Sequence, residues 1–545
     1  MKINITVTRP ILRFAFSVVA ILLLFAGLTL FLPNPGGDGI DWKTELPFYS
    51  MPWTNSSPFY PSEWKTTDGH LVNWRSVPSA TFCGECHEKE YKEWASSIHA
   101  ITGSDLIYES AILQNEFGST AGGELATEKI RWCDGCHEPL AILAGEGSPL
   151  TAVGPNEAIE EGATCILCHT AVEARPLAGN AGLTLNINEI KRYLDPTLIM
   201  AAPEQHAKSM QAKRHNPMMG KSEMCGTCHT EIRPERINGD FPLHFQETFD
   251  EWRLSEYADR NIQCQDCHMD AEPARYVDAL KRGEQPERKM SHRFVGNNYL
   301  LTESDLPKQT IVTLRGGWVP GRNELMSGEE WLTDLKKQQG LILDLLKSAA
   351  DMEVSTGTLE SDGALPIDIA ITNSGAGHNL PTGPLDQRYL WIELKLTDSQ
   401  NQVVYHSGWF DWEQGQEDPE AVRYIKRMYN DDGAYNDRHI LFDVNRMHYE
   451  RKPIRPMETD RIGYRVPLGE AASGPLKLEV RLWYRLALQQ ILENTVEQFP
   501  VEAKLLEGTV IPPVVMLETV SEVDPAQVSK VWAGSGVAKG AGHDS

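Results

Sequence analysis

The 545-residue chain has no cysteine to spare. All ten fall between positions 83 and 267, and each belongs to a Cys-x-x-Cys-His, so no thiol is left for a structural disulfide. Basic residues are also short. Lys and Arg number 51 against 76 Asp and Glu, a formal charge of −25. That balance repels nucleic acid, which is excluded as a partner, and favours basic surfaces. Nucleotide loops, hydrolase triads and internal repeats other than the five motifs are missing as well.

Long apolar runs are scarce, and one stands alone. Lys2, Arg9 and Arg13 precede nineteen uncharged residues at 14–32. That is enough to cross a bilayer as a helix and longer than the core of a cleaved signal. No A-x-A site follows, and no cysteine lies nearby to carry a lipid. The expectation is an uncleaved anchor with a cytoplasmic N-terminus and the bulk of the chain in the periplasm. The membrane is then a partner, and the location is the inner membrane.

The motifs are "CGECH", "CDGCH", "CILCH", "CGTCH" and "CQDCH". Their cysteines are Cys83 and Cys86, Cys133 and Cys136, Cys165 and Cys168, Cys225 and Cys228, and Cys264 and Cys267. The histidines are His87, His137, His169, His229 and His268. Zinc needs four ligands and does not require histidine directly after the second cysteine each time. A redox disulfide does not need the histidine at all. Haem c attachment needs all three residues: two thiols add to the vinyl groups, and the adjacent histidine falls under the iron. The cofactor set read from the sequence is five covalently attached haems c. So sparse a stretch cannot bury five porphyrins in a side-chain core, so the haems must supply much of that core themselves.

Each iron has a second axial position. In "TFCGECHEKEYKEWASSIHA", His99 follows His87 by twelve residues. A helix between them, with Tyr91, Trp94 and Ile98 on one face, would separate the two by roughly 18 Å. That is too far to serve one iron, so His99 as a ligand would serve a neighbouring haem. Between residues 70 and 292, outside the motifs, stand His70, His99, His206, His215, His244 and His292. Six candidates for five positions allow every iron two imidazoles. Met218, Met219 and Met269 are read as packing filler.

"CGECHEKEYKEWASSIHA" resembles the C-x-x-C-H…W-x-x-S-x-H-A signature of multihaem cytochromes related to hydroxylamine oxidoreductase and its tetrahaem electron acceptor. "CGTCHTEIRPERINGDFPLHFQETFDEWRLSEYADRNIQCQDCHM" is similar to the CGxCH…CQ-x-CHM block of that family. "SHRFVGNN" resembles its SH-x-F-x-G-x-N segment. The resemblance covers residues 80–300. It implies distal ligation by His99 and His292; among the other candidates His215, just ahead of the fourth motif, ranks next, then His206, then His244 and His70. C-x-x-C-K, the mark of the catalytic haem in pentahaem nitrite reductases, is absent, and the motifs are fewer than in hydroxylamine oxidoreductase. Neither activity carries over, and no catalytic residue is assigned.

Beyond residue 300 the pattern changes. "SGEEWLTDLKKQQGLILDLLKSAADM" opens on a capping box, Ser327 and Glu330, and keeps a helical stripe. From 353 the period becomes two, as in "YLWIELKLTD" and "LKLEVRLWYRL", which predicts an antiparallel β-sandwich of immunoglobulin-like type. "NSGAGHNLPTGP" resembles a GH-x-x-PTG loop found in a similar domain of many multihaem cytochromes. There His378 is read either as a ligand or as part of an interstrand turn. His406, His439 and His448 carry no metal spacing and are read as ordinary. The expected multidomain organisation is a transmembrane helix (1–33), a linker (34–75), a mainly helical and loop pentahaem domain (76–300), a helical connector (301–352), the β-sandwich (353–520) and a disordered tail (521–545).

The function expected is a membrane-anchored pentahaem cytochrome relaying electrons between respiratory partner proteins, with a quinol or quinol-oxidising donor. One alternative is an oxidoreductase with a five-coordinate haem acting on a small nitrogen or sulfur compound. Another is a haem subunit of a larger electron conduit.

Overall fold

Short helices with strong local caps carry the motifs. Ser79 starts helix Ala80–Gly84 by accepting from the Phe82 amide at 3.1 Å. Gln263 and Asp266 form a capping box on Cys264–His268, satisfying amides that the first turn leaves open. The other motifs lie on Ala126–His137, Cys165–Thr170 and Ser222–Gly226. These details come from a computed structural model. It describes residues 57–72, 77–115, 126–144, 161–186, 194–213, 217–233, 243–302, 307–316, 325–468 and 474–524.

The expected helix from His87 to His99 breaks early. It runs Glu88–Ala95, buries Tyr91, Trp94 and Ala95, and is followed by a 3-10 turn at Ile98–Ile101. Two serines end it. The Ser96 hydroxyl donates to the Glu93 carbonyl at 2.9 Å, and that of Ser97 to Trp94 at 2.7 Å, drawing the backbone out of the helical ladder.

Apolar clusters in the first half border the motif cysteines. Cys136, Cys168 and Cys228 edge a cluster of Trp64, Leu140, Ile142, Leu143, Ile166 and Leu185. Cys133 edges Trp132, Phe245 and Phe442, and Cys267 edges Phe249, Trp252 and Tyr276.

The second half is dominated by strands. Tyr389–Thr397 is the hub of a five-stranded sheet, flanked by Arg423–Tyr424, Val403–Ser407 and Leu476–Arg485, with Val514–Val523 beyond the last. Its register places Ile392 opposite Leu482 and Leu394 opposite Val480. A three-stranded sheet runs Thr459–Pro467, Ala364–Thr372, Asp351–Thr356. Ile367, Ile369 and Ile371 of that sheet share one core cluster with Leu390, Ile392, Leu394 and Leu396. Each such side chain contributes about 1.5–3 kcal/mol on burial. The hub strand is covered on its other face as well: Trp391 stacks on Trp483, and Glu393 meets Arg481 and His406.

The expected transmembrane architecture requires correction. Among the described residues no helix is long and apolar enough to cross a membrane. The longest, Gly328–Ser348, has 21 residues. It carries Glu329, Glu330, Asp334, Lys336, Lys337, Asp344 and Lys347, and charges at such density do not enter hydrocarbon. The 14–32 run on which the anchor rested lies outside the described residues. The membrane-spanning helix in the fold and the inner-membrane location are therefore withdrawn.

Candidate functional site

Four of the five motif histidines face a second imidazole. His87 and His206 have ring centres 6.4 Å apart, as do His229 and His99, and His169 and His292. His268 and His378 are 6.2 Å apart. Two metal–nitrogen bonds of about 2 Å back to back account for about 4 Å of such a gap, and half a ring on either side makes up the rest. Bare imidazoles have no reason to recur at this spacing, so the residues fit haem iron between them. The planes are inclined by 59° in the first two pairs and nearly parallel, at 17° and 13°, in the others.

Hydrogen bonds fix which nitrogen is free. Nδ1 of His268 lies 2.6 Å from the Val295 carbonyl, that of His137 lies 2.8 Å from the Thr102 carbonyl, and that of His378 lies 2.9 Å from the Asn379 carbonyl. A carbonyl only accepts, so Nδ1 carries the proton and Nε2 keeps its lone pair for a metal. Burial works in the same direction. It pushes His99, His137 and His378 down to about 4 and His229 to about 3, keeping the rings neutral and able to ligate.

His99 thus pairs with the histidine of the fourth motif, not the first. The anchoring comes from the third-motif region. The Ala163 amide donates to the His99 carbonyl at 2.9 Å, and the Trp94 indole donates to the Ala163 carbonyl at 3.0 Å. Glu161 accepts from the Ala80 amide at 2.6 Å and the Thr164 hydroxyl at 2.9 Å. Gly162 has φ +55°, and a Cβ there would come within 2.6 Å of the His99 carbonyl oxygen, so glycine is required for this approach.

The strap Ser291–Val295 touches three sites. His292 faces His169, and its amide is held by Glu93 at 2.8 Å. Phe294 sets its ring edge-on to His99 at 4.5 Å and contacts His292 at 6.1 Å. The Val295 carbonyl holds His268. Thiols of different motifs also meet: Cys83 with Cys165, Cys136 with Cys228, and Cys225 with Cys264. All five motifs are linked by these contacts. The first is the outermost, with Cys86 and His87 exposed.

The remaining candidates go elsewhere. His70 sits in an exposed turn, its carbonyl accepting from Thr66 at 2.7 Å. His244 places Nδ1 3.4 Å from Glu247. His215 lies outside the described residues. His378 takes its place opposite His268 from the "GHNLPTGP" loop, so the strand-rich half places an imidazole at the fifth motif.

His137 stands apart. Tyr108 stacks on it at 4.0 Å and 1°, and Thr102 holds it at two points. Among the described residues no imidazole faces it at the 6.2–6.4 Å separation of the other four. Among the described residues the second motif is thus left with one imidazole, and the candidate His215 lies outside them.

The loop after His378 also carries Thr382, whose hydroxyl donates to Glu251 and meets that of Thr248 at 2.8 Å. Burial pushes Glu251 up to about 8, against the hydrogen bond from Thr382. The folded chain keeps this proton while the unfolded chain loses it near 4.5. The contribution to stability is thus full below about pH 4.5 and lost as pH rises towards 8. Urea unfolding of the holoprotein across that range is expected to show a decline on the order of a few kcal/mol that Glu251→Gln flattens.

Residues 82–174 match the model of the family described as cytochrome c554 and c-prime. The chain carries the sites of a multihaem c-type cytochrome. No curated protein matches it. A solved structure, the penta-heme cytochrome c552 from Thermochromatium tepidum, is similar at 18% identity and a TM-score of 0.49. That similarity covers 83% of this chain and 100% of the other.

Proposed function

We propose that this multihaem cytochrome holds five haems c and relays electrons between redox partner proteins. The observation that carries the reading is the set of four imidazole pairs joined by the 291–295 strap and the thiol contacts. Haem supplies reversible one-electron chemistry at each site. The chain's part is to close four of the positions with a second imidazole, keep their rings neutral by burial, and hold them as neighbours. The exposed first motif is the point of exchange with a partner. Glu85 and Glu88 flank it on the surface, which favours a basic docking face. A relationship to hydroxylamine oxidoreductase rests on the W-x-x-S-x-H and SH-x-F-x-G-x-N segments. The immunoglobulin-like reading of the strand-rich half rests on the core that its two sheets share.

The test is a pyridine haemochrome assay against protein concentration, combined with intact mass. Five haems per chain are expected, and four after Cys133→Ala with Cys136→Ala. Fewer than five in the unmodified protein, or zinc in their place, would overturn the reading. One observation favours an oxidoreductase as second reading: among the described residues no imidazole faces His137 at the separation of the other four pairs.

A further inference from the structure

The ligand rings are not all held in the same way. His137, His268 and His378 each give Nδ1 to a backbone carbonyl, which fixes the ring about its bond to a metal. His99 makes no ring hydrogen bond among the described residues. What meets its ring is Phe294, with centres 4.5 Å apart and planes inclined by 63°, an edge-on contact that the ring quadrupoles favour. The same phenyl lies 6.1 Å from His292 at 83°. His292 has an anchor of its own, because its amide is held by Glu93 at 2.8 Å.

Phe294 holds this place under strain. Its φ is +45°, in the left-handed region that bulky residues seldom enter. Such strain persists only where the surroundings impose it, and here both flanks are pinned. Before it, the Arg293 carbonyl accepts from Gln338 at 2.9 Å, and the Arg293 guanidinium donates to Ser96 at 3.0 Å and to Asp334 at 2.7 Å. After it, the Val295 amide donates to the His268 carbonyl at 2.9 Å. Phe294 and Ile98, the neighbour of His99, both pack against the core cluster that contains Leu301 and Ile342. A cavity of about 10 Å³ lies among these residues, room for one water and too small for the phenyl to swing into.

We propose that Phe294 is a positioning residue for the relay: its phenyl fixes the angle of the His99 imidazole at the fourth-motif haem, and through that angle sets the potential of that haem. The 59° between the His99 and His229 planes is then a held value. An imidazole interacts with iron through the π orbital normal to its own plane. The angle between two ligand planes therefore decides how far apart the two iron π orbitals lie in energy. That gap governs the g values of the oxidised haem and contributes to its potential, one of the levers a protein has on haem. The inference deepens the electron relay and rests on ligation by His99, which His99→Ala measures separately.

The experiment is electron paramagnetic resonance with redox titration on holoprotein carrying Phe294→Leu or Phe294→Met. The fourth-motif signal is identified as the low-spin signal that His99→Ala removes. In both variants that signal is expected to broaden and its largest g value to move, because the freed imidazole samples a range of angles. The midpoint potential of the same haem should shift. The haem count should stay at five, carbon monoxide uptake should be unchanged, and the third- and fifth-motif signals should stay in place. Phe294→Tyr, which keeps the ring, should give the unmodified signal. If one variant loses haem, the other decides, and loss from both would make Phe294 a structural residue and overturn the proposal. An unmoved fourth-motif signal, or equal shifts at the third, fourth and fifth motifs, would also overturn it and leave the relay standing. Retention of every low-spin signal in His99→Ala would instead defeat the ligation on which the proposal rests.

Discussion

His378→Ala is expected to open a second iron. The two rings at the fifth motif stand 6.2 Å apart and 13° from parallel, so His378 is the only imidazole placed to close that site among the described residues. Its loss leaves the iron with one protein ligand, while Cys264 and Cys267 keep the haem attached. The ferrous protein should then take up two carbon monoxide molecules per chain instead of one, and a second high-spin signal should appear in the oxidised form. The haem count should remain five. Uptake that stays at one per chain would mean that His378 belongs to a turn and not to a haem. His99→Ala should act likewise on the fourth-motif haem, leaving the first unchanged.

Arg315→Ala is expected to cost about 3–5 kcal/mol of apparent stability. Arg315 is fully buried. It donates to the carbonyls of Leu301 at 3.2 Å and Ala95 at 3.1 Å, and its guanidinium lies 5.5 Å from the Trp331 ring centre. Burial pulls it down to about 9, with Asp105 opposing that. Burial likewise pushes Asp105 up to about 7, with Arg315 among the charges opposing it. Asp105 in turn caps helix Leu106–Leu113, accepting from the Tyr108 amide at 3.0 Å, and Tyr108 stacks on His137. Removing the guanidinium leaves the carboxyl buried without that charge and two carbonyls without donors. Denaturant unfolding of the holoprotein measures the loss. A cost below about 1 kcal/mol would place Arg315 among dispensable packing residues.

The sequence was most legible where the chemistry is contiguous. Cys-x-x-Cys-His names both thiols and one axial ligand, because attachment and proximal ligation fall within five residues. The twelve-residue interval from His87 to His99 also carried information, since helical rise alone separates the two sites. The helix length itself was misjudged, because Ser96 and Ser97 can either continue a helix or end one by bonding back to its carbonyls. Distal ligands are a long-range choice. His206, His244 and His378 are equivalent as letters, and only the packing of the strap and loop decides among them. His378 had a local signal in GH-x-x-PTG. His439 has none, because Asp386, the partner of its Nδ1, stands 53 residues away. The hub strand shows the same limit: its alternation marks Leu390, Ile392, Leu394 and Leu396, whereas Trp391 and Glu393 are covered by elements distant in sequence.

The central claim is that four irons are closed by two imidazoles and that, among the described residues, none closes the fifth. Electron paramagnetic resonance with magnetic circular dichroism on oxidised protein carrying its full haem complement tests this most directly. The account predicts four low-spin bis-histidine haems and one high-spin haem. The high-spin signal should disappear when Cys133 and Cys136 are replaced together. Five low-spin haems, or a high-spin signal that survives loss of the second motif, would contradict it.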